Sequence, residues 1–213
     1  RSTSHDDAEF VRRSADQLGL PCTVMAVDVS SGSPEEAARD ARYGALAKVV
    51  AHQGVDAIAL GHTLDDQAET VLLHMVRGAG LTGLRAMSVL GKLPVNDVSL
   101  NVFRPLLGAR RLETAAFCQE SGLTPILDQS NLDTTIPRNL LRLDAIPLLE
   151  TLNPKVAESL GRLASAVNID LDYIEAQLDV VWLDLAEESG GSIVLKRDLL
   201  KSLHSSLQRH ALR

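Results

Sequence analysis

The sequence predicts an α/β fold: a doubly wound parallel sheet over residues 1–146, then a small, mainly helical region over residues 147–213. Three observations carry this. Apolar runs at residues 22–27 and 55–60 alternate with helical patterns at residues 35–52 and after residue 64, a β-α-β-α order. Val98–Phe103 is a further strand-like run, followed by a helical pattern that starts at Arg110 and Arg111 and stops at Gly122. From Asn153 and Pro154 onward, Val156, Leu160, Leu163, Val167, Leu171, Ile174, Leu178 and Val181 recur every three or four residues, an interhelix packing stripe with acids between.

Each element has local signals. Asp6 and Asp7 lead a first helix through Phe10, Val11, Ala15 and Leu18, and Gly19 and Pro21 end it. Residues 28–32 turn the chain after the first strand. Ser33, Pro34 and Glu36 form a capping box with proline at the first helical position. Residues 88–99 read as a variable loop, and 125–127 as a short strand. Gly190 and Gly191 break the long helical stretch. Residues 192–195 are extended, and residues 199–212 are helical again. The run Gly78-Ala79-Gly80-Leu81-Thr82-Gly83 spells G-x-G-x-x-G, but it follows a helix rather than a strand, so it is a helix stop and loop, not a dinucleotide fingerprint.

Composition narrows the function. With 45% hydrophobic residues, 213 residues suffice for one sizeable domain and a small one. Aromatics at 3% argue against a stacking platform for single strands. The net charge of -7 is unevenly spread. Residues 77–111 carry Arg77, Arg85, Lys92, Arg104, Arg110 and Arg111 against Asp97 alone, a basic stripe able to meet an RNA backbone. Lys196, Arg197, Lys201 and Arg209 add to it near the end of the chain. Cys22 and Cys118 have no metal-binding or redox spacing and fit a reducing cytoplasm. No signal peptide or membrane-spanning run is visible.

The stretch from Leu60 to Thr70 organises the rest. Gly61 and His62 fall at the carboxyl end of the strand of residues 55–60, the edge where open α/β sheets bind ligands. Thr63 is placed to cap the helix that follows. His62, Asp66 and Glu69 stand at i, i+4 and i+7, so helical spacing puts them on one face. Helix capping accounts for one or two of these acids; it does not account for a Gly-His and three acids within nine residues. Arg39 and Arg42 share a face of the preceding helix, as do Arg138 and Arg142 further on.

The motif Gly-His-Thr-Leu-Asp-Asp-Gln-Ala-Glu-Thr, with Arg77-Gly78-Ala79-Gly80 and Gly83-Leu84 after it, resembles the tRNA(Ile)-lysidine synthetases, a family of N-type ATP pyrophosphatases with a Rossmann-like fold. The resemblance extends to Asp128-x-Ser130-Asn131 and Arg138-Asn139-x-x-Arg142. It implies a cytoplasmic enzyme that uses ATP and Mg²⁺ to adenylate the wobble cytidine of an isoleucine tRNA and then joins free L-lysine to it. It implies Gly61 and His62 at the ATP, and Arg42, Arg138 and Arg142 on phosphate and leaving group. Asp66 and Glu69 are expected to bind the lysine ammonium or, at Asp66, Mg²⁺; helix capping is the third alternative. Arg77, Arg85, Arg104, Arg110 and Arg111 are expected to contact tRNA.

One departure from the family stands out. Its Ser-Gly-Gly-x-Asp-Ser phosphate loop has no counterpart in this sequence, which is therefore read as a fragment of the catalytic unit. A tRNA thiolase and an RNA-binding remnant without catalysis are the competing readings, and oligomeric state stays open between monomer and homodimer.

Overall fold

The computed structural model describes residues 4–27, 34–95, 98–126 and 128–213, with side chains omitted at residues 4 and 34–36. Two compact units emerge. Residues 1–63 and 88–132 form one, and residues 64–87 and 133–213 the other. This differs from a division at residue 146, because the helix after His62 groups with the C-terminal helices.

In the first unit, α1 (Ser4–Gln17) stops where Gly19 takes φ +67°, a conformation glycine adopts without strain. Helix α2 (Pro34–Gln53) starts on its proline; Ser33 and the turn at 28–32 lie outside the described residues. Three strands follow: β1 (Ile58–Ala59), β2 (Leu90–Val95) and β3 (Val98–Phe103), in the order β1-β3-β2. The β1–β3 pair is parallel and the β2–β3 pair antiparallel. Leu60 extends β1 by donating its N–H to the Phe103 carbonyl at 2.8 Å.

The fold is therefore α/β, but its sheet is small and mixed among the described residues. Residues 22–27 pair with no strand there. An apolar run becomes a strand only when a neighbour takes up its backbone groups. Residues 125 and 126 are likewise unpaired in any ladder, and Leu127 is not described. In the opposite direction, the expected loop at 88–99 contains β2. Val95 stands opposite Val98 at the end of the β2–β3 ladder. Pro94 lacks an N–H and is tolerated because β2 is an edge strand.

The core of this unit forms where α2 lies on the sheet. Tyr43, Leu46, Ala47 and Val50 sit at i, i+3, i+4 and i+7 and pack with Ile58, Leu60, Leu93, Val95 and Leu100. Helix α5 (Arg111–Glu120) leaves Leu112 and Phe117 exposed, and Gly122 turns the chain after it at φ +69°.

In the second unit, α3 (Leu64–Val76) packs against α8 (Val156–Leu185). Ala68 of α3 packs with Ala157 and Ile146, and Leu72, Val156 and Leu160 surround them. The predicted stripe on α8 is present in a slightly rotated form. Ala157, Ala164, Val167, Leu171 and Leu185 are buried, whereas Leu163 is not. Small residues win the central positions because the helices approach closely: a Cβ on Gly161 would lie 2.6 Å from Leu64 Cδ1. The far side of α8 carries exposed Ile169, Tyr173, Val180 and Leu183 among the acids.

Between α3 and α8 in sequence come α4 (Leu81–Leu84), α6 (Pro137–Leu140), a π-helical turn (Leu141–Ala145) and α7 (Ile146–Leu152). After α8, β4 (Ala186–Ser189) and β5 (Ser192–Leu195) form a hairpin whose central Gly190 and Gly191 both have positive φ, as a tight hairpin turn requires. Helices α9 (Arg197–Ser202) and α10 (Ser205–Ala211) close the chain.

The glycine-rich loop after α3 is held in place rather than open. Gln67, 5% exposed, exchanges two hydrogen bonds with the Met87 backbone at 2.8 and 3.0 Å. His74 Nδ1 donates to the Gly83 carbonyl at 2.5 Å. A Cβ on Gly83 would stand 2.5 Å from the Ala79 Cβ, which no rotamer can relieve. Gly83→Ala should therefore cost about 1–3 kcal/mol through overpacking, read as a lowered urea midpoint at unchanged slope.

Candidate functional site

Glu69 is the most constrained charged residue in the second unit. Its side chain is 0% exposed. Arg138 Nε donates to Glu69 Oε2 at 2.8 Å. Arg142 forms a two-pronged contact, Nε to Oε1 at 2.7 Å and Nη2 to Oε2 at 3.0 Å. Charge-assisted, planar pairing of this kind is the strong sort of hydrogen bond. It offsets the cost of taking a carboxylate out of water, which an unpaired glutamate could not meet. The carboxylate holds the Arg142 proton more tightly than in free arginine, outweighing the burial that works the other way.

Asp66 stands one turn earlier on α3. Its Oδ1 is 3.7 Å from Arg138 Nη2 and 3.8 Å from Arg142 Nη2. Thr70 donates its hydroxyl to the Asp66 carbonyl at 2.7 Å, and Arg138 Nη2 reaches that same carbonyl at 3.3 Å. Two acids thus face two arginines. Only three guanidinium N–H groups are spent on Glu69, and a guanidinium has five. Both arginine side chains remain about a quarter exposed, at 27% and 23%. An arginine pair held this way can bind an oxyanion such as a phosphate.

Local sequence explains how the arginines are presented. Pro137 opens α6. Asn139 is buried and donates to the Asp133 carbonyl at 2.9 Å, tying α6 to the loop before it. Asp133 Oδ1 in turn accepts from the Thr135 hydroxyl and N–H at 2.6 and 2.9 Å, which holds that carboxyl below the usual aspartate range. Asp128 makes the same kind of turn with Ser130. Arg142 sits in the π turn, where the Ile146 N–H reaches back five residues to the Leu141 carbonyl. Pro147, without an N–H, prevents an ordinary helical bond one step later.

The first unit carries a second cluster. Arg104 is 5% exposed. Its Nε donates to His62 Nδ1 at 3.2 Å and its Nη1 to the Ser88 carbonyl at 2.8 Å. Burial pulls its pKa below the usual arginine value, with Tyr43 countering and Arg39 adding to the effect. Arg39 and Arg42 both lie over the Tyr43 ring, at 4.9 and 5.7 Å from its centre. Arg39, Asp40, Tyr43, Leu93, Pro94 and Val95 line a hollow of about 380 Å³.

Several expectations change. His62 precedes α3 instead of riding on it, because the helix starts at Leu64; only Asp66 and Glu69 share its face. The expected lysine contact at Glu69 does not fit a carboxylate with no accessible surface and guanidinium donors on both oxygens. Arg104, expected on tRNA, is buried under His62. Arg85 is engaged by Glu175 at 2.7 Å and Asp172 at 3.7 Å, so α8 already neutralises much of its charge. Arg77 is exposed, and Arg110 and Arg111 are half-buried at the start of α5. The basic stripe is shared out, with Arg77 and Arg85 in one unit and Arg104, Arg110 and Arg111 in the other. Gly61 is exposed beside His62.

Sequence reasoning missed the parts played by Gln67, Thr70 and Asn139, although all three stand inside the motifs quoted. The burial of Gln67 and Asn139, and the reach of Thr70 to the Arg138 guanidinium, depend on partners that local spacing does not show. Among the described residues no group of three or more His, Cys, Asp or Glu side chains is placed to hold a metal ion. Nor is any helix among them long and apolar enough to cross a membrane.

Comparison with known proteins adds to this geometry. The PP-loop domain family matches residues 1–149. The tRNA(Ile)-lysidine synthase of Dehalococcoides mccartyi (strain CBDB1) is 37% identical over 99% of this chain and 46% of its own length. That of Salinispora tropica is 40% identical over 80% of this chain and 51% of its own, and that of Gloeobacter violaceus 34% over 94% and 62%. The chain thus spans about half the length of the curated relatives it matches. Among solved structures, the U34-tRNA thiolase NcsA of Methanococcus maripaludis aligns over 76% of this chain and 57% of its own, with a TM-score of 0.58 at 15% identity, a likeness of fold.

If Glu69 anchors both arginines, its loss should cost the most. Glu69→Gln should destabilise the protein by about 2–4 kcal/mol, less than a fully dry pair because both arginines reach solvent. Arg142→Met should cost more than Arg138→Met, since it removes the two-pronged contact. Urea unfolding of the three variants gives the order.

Proposed function

The chain belongs to the PP-loop domain family, and from that premise we propose that it provides the catalytic part of a tRNA(Ile)-lysidine synthase. The observation that carries the reading is the pair Arg138 and Arg142 locked on Glu69 beside Asp66. The curated relatives at 34–40% identity support the same substrate.

The reaction proceeds in two displacements. The oxygen at C2 of the wobble cytidine attacks the α-phosphorus of ATP, and pyrophosphate leaves. The lysine amine then attacks C2, AMP departs with the oxygen, and the new nitrogen gives up a proton. Both steps build negative charge on phosphate oxygens. Preorganised cations aimed at that charge lower the barrier most. Arg138 and Arg142 serve this role, and Glu69 is a positioning residue that fixes their planes. Arg42, exposed on α2, is a further phosphate-binding candidate. Gly61 and His62 border the nucleotide. Asp66, still partly open at 17% exposure, is the carboxylate that meets the lysine ammonium. Arg77, Arg110 and Arg111 meet the tRNA backbone.

Mg²⁺ would neutralise the polyphosphate and favour pyrophosphate departure. If Asp66 held this ion in place of the lysine ammonium, it would supply one carboxylate, and adenylation would then fall in Asp66→Asn. The two acids oppose two arginines, so the described residues do not form a metal cage of their own.

The test uses the full gene product with ATP, L-lysine and an isoleucine tRNA bearing a CAU anticodon, followed by mass spectrometry of the digested nucleosides. Lysidine should appear only with all three substrates. Asp66→Asn should raise the lysine KM by about tenfold or more, as loss of a charge-assisted bond does, while tRNA adenylation persists. Thiolated uridine, or no modified nucleoside at all, would overturn the reading. Adenylation falling in step with lysine transfer would remove lysine binding from Asp66.

A further inference from the structure

We propose that Arg104 is a positioning residue that fixes the tautomer of His62, making its Nε2 a hydrogen-bond donor toward an acceptor atom of the nucleotide. The nucleotide part of this rests on the function proposed above; the tautomer does not.

The argument begins with donor inventory. A guanidinium offers N–H groups and no acceptor. The 3.2 Å contact between Arg104 Nε and His62 Nδ1 is a hydrogen bond only if Nδ1 carries a lone pair. The proton of the neutral imidazole is then on Nε2. With Nδ1 occupied and Nε2 protonated, His62 can donate but cannot take up a proton in the manner of a general base. Such a ring suits a phosphate oxygen or an unprotonated ring nitrogen.

Arg104 is itself held. Its Nη1 is bonded to the Ser88 carbonyl at 2.8 Å, and its backbone N–H to the Val89 carbonyl at 2.8 Å. It follows directly on Phe103, the last residue of β3, whose carbonyl receives the Leu60 N–H two residues before His62. Strand pairing therefore sets the arginine and the imidazole in register. A buried arginine with no carboxylate partner among the described residues needs a reason, since a charge with 5% exposure is costly. Orientation of the one histidine at the carboxyl end of β1 supplies it.

Nitrogen NMR of the histidine rings tests this directly, with His62 assigned by its absence in His62→Gln. In the unmodified protein, at a pH where the ring is neutral, His62 should show a bare Nδ1 and a protonated Nε2. Arg104→Met should mix the two tautomers, and Arg104→Lys, which restores a donor, should recover part of the original signal. A protonated Nδ1 in the unmodified protein overturns the proposal whether or not the variants fold, and so does an unchanged pattern in a folded Arg104→Met.

ATP binding by the full gene product separates the two layers. His62→Gln and Arg104→Met should each weaken it by about tenfold, and the double variant should lose no more. If the tautomer responds while ATP affinity does not, the nucleotide assignment of His62 fails and the positioning by Arg104 stands.

Discussion

A single buried carboxylate sets the terms for the C-terminal unit. Glu69 has no contact with solvent, so its charge must be met inside the protein. Two guanidiniums meet it from chain positions about 70 residues away. That demand explains why α6 and the π turn lie against α3. It also explains why the turn is π-helical: Arg142 must reach Glu69 squarely, and Pro147 removes the N–H that would otherwise draw the chain into an ordinary helix. A buried ion pair of this sort is a poor source of net stability and a good source of fixed geometry. Fixed geometry is what the proposed phosphate role requires, since a ligand would then meet cations whose entropy is already spent.

The N-terminal unit solves a parallel problem with a different partner. The Arg104 guanidinium is buried against an imidazole and one backbone carbonyl rather than a carboxylate. In both places an arginine is held by elements distant in sequence. In both, the other end of the interaction belongs to the stretch between Leu60 and Thr70. That stretch joins the units: Gly61, His62 and Thr63 end one, and α3 begins the other.

Much of this was legible beforehand. The motif residues, the helix after Thr63, the arginine pair at four-residue spacing and the strand Val98–Phe103 all follow from periodicity and local signals. What was not legible depends on partners remote in sequence. Residues 22–27 have a strand's pattern, yet strand formation is decided by a neighbour's hydrogen bonds, and none is supplied among the described residues. Strand β2 was hidden by Gly91 and Pro94, although the alternation of Leu93 and Val95 was its signal. Charge counting put Arg85 and Arg104 on the surface with the rest of the stripe. It could not register that Glu175 claims the first and His62 the second, since neither acid nor imidazole is near them in sequence.

The central claim is that Glu69 and the arginines act as one unit. A double-mutant cycle tests it: Glu69→Gln, Arg142→Met and the pair together, each followed by urea unfolding. The account predicts a coupling of about 1–3 kcal/mol, the range for residues sharing one ion-pair network. Losses that simply add, to within about 0.5 kcal/mol, would contradict it.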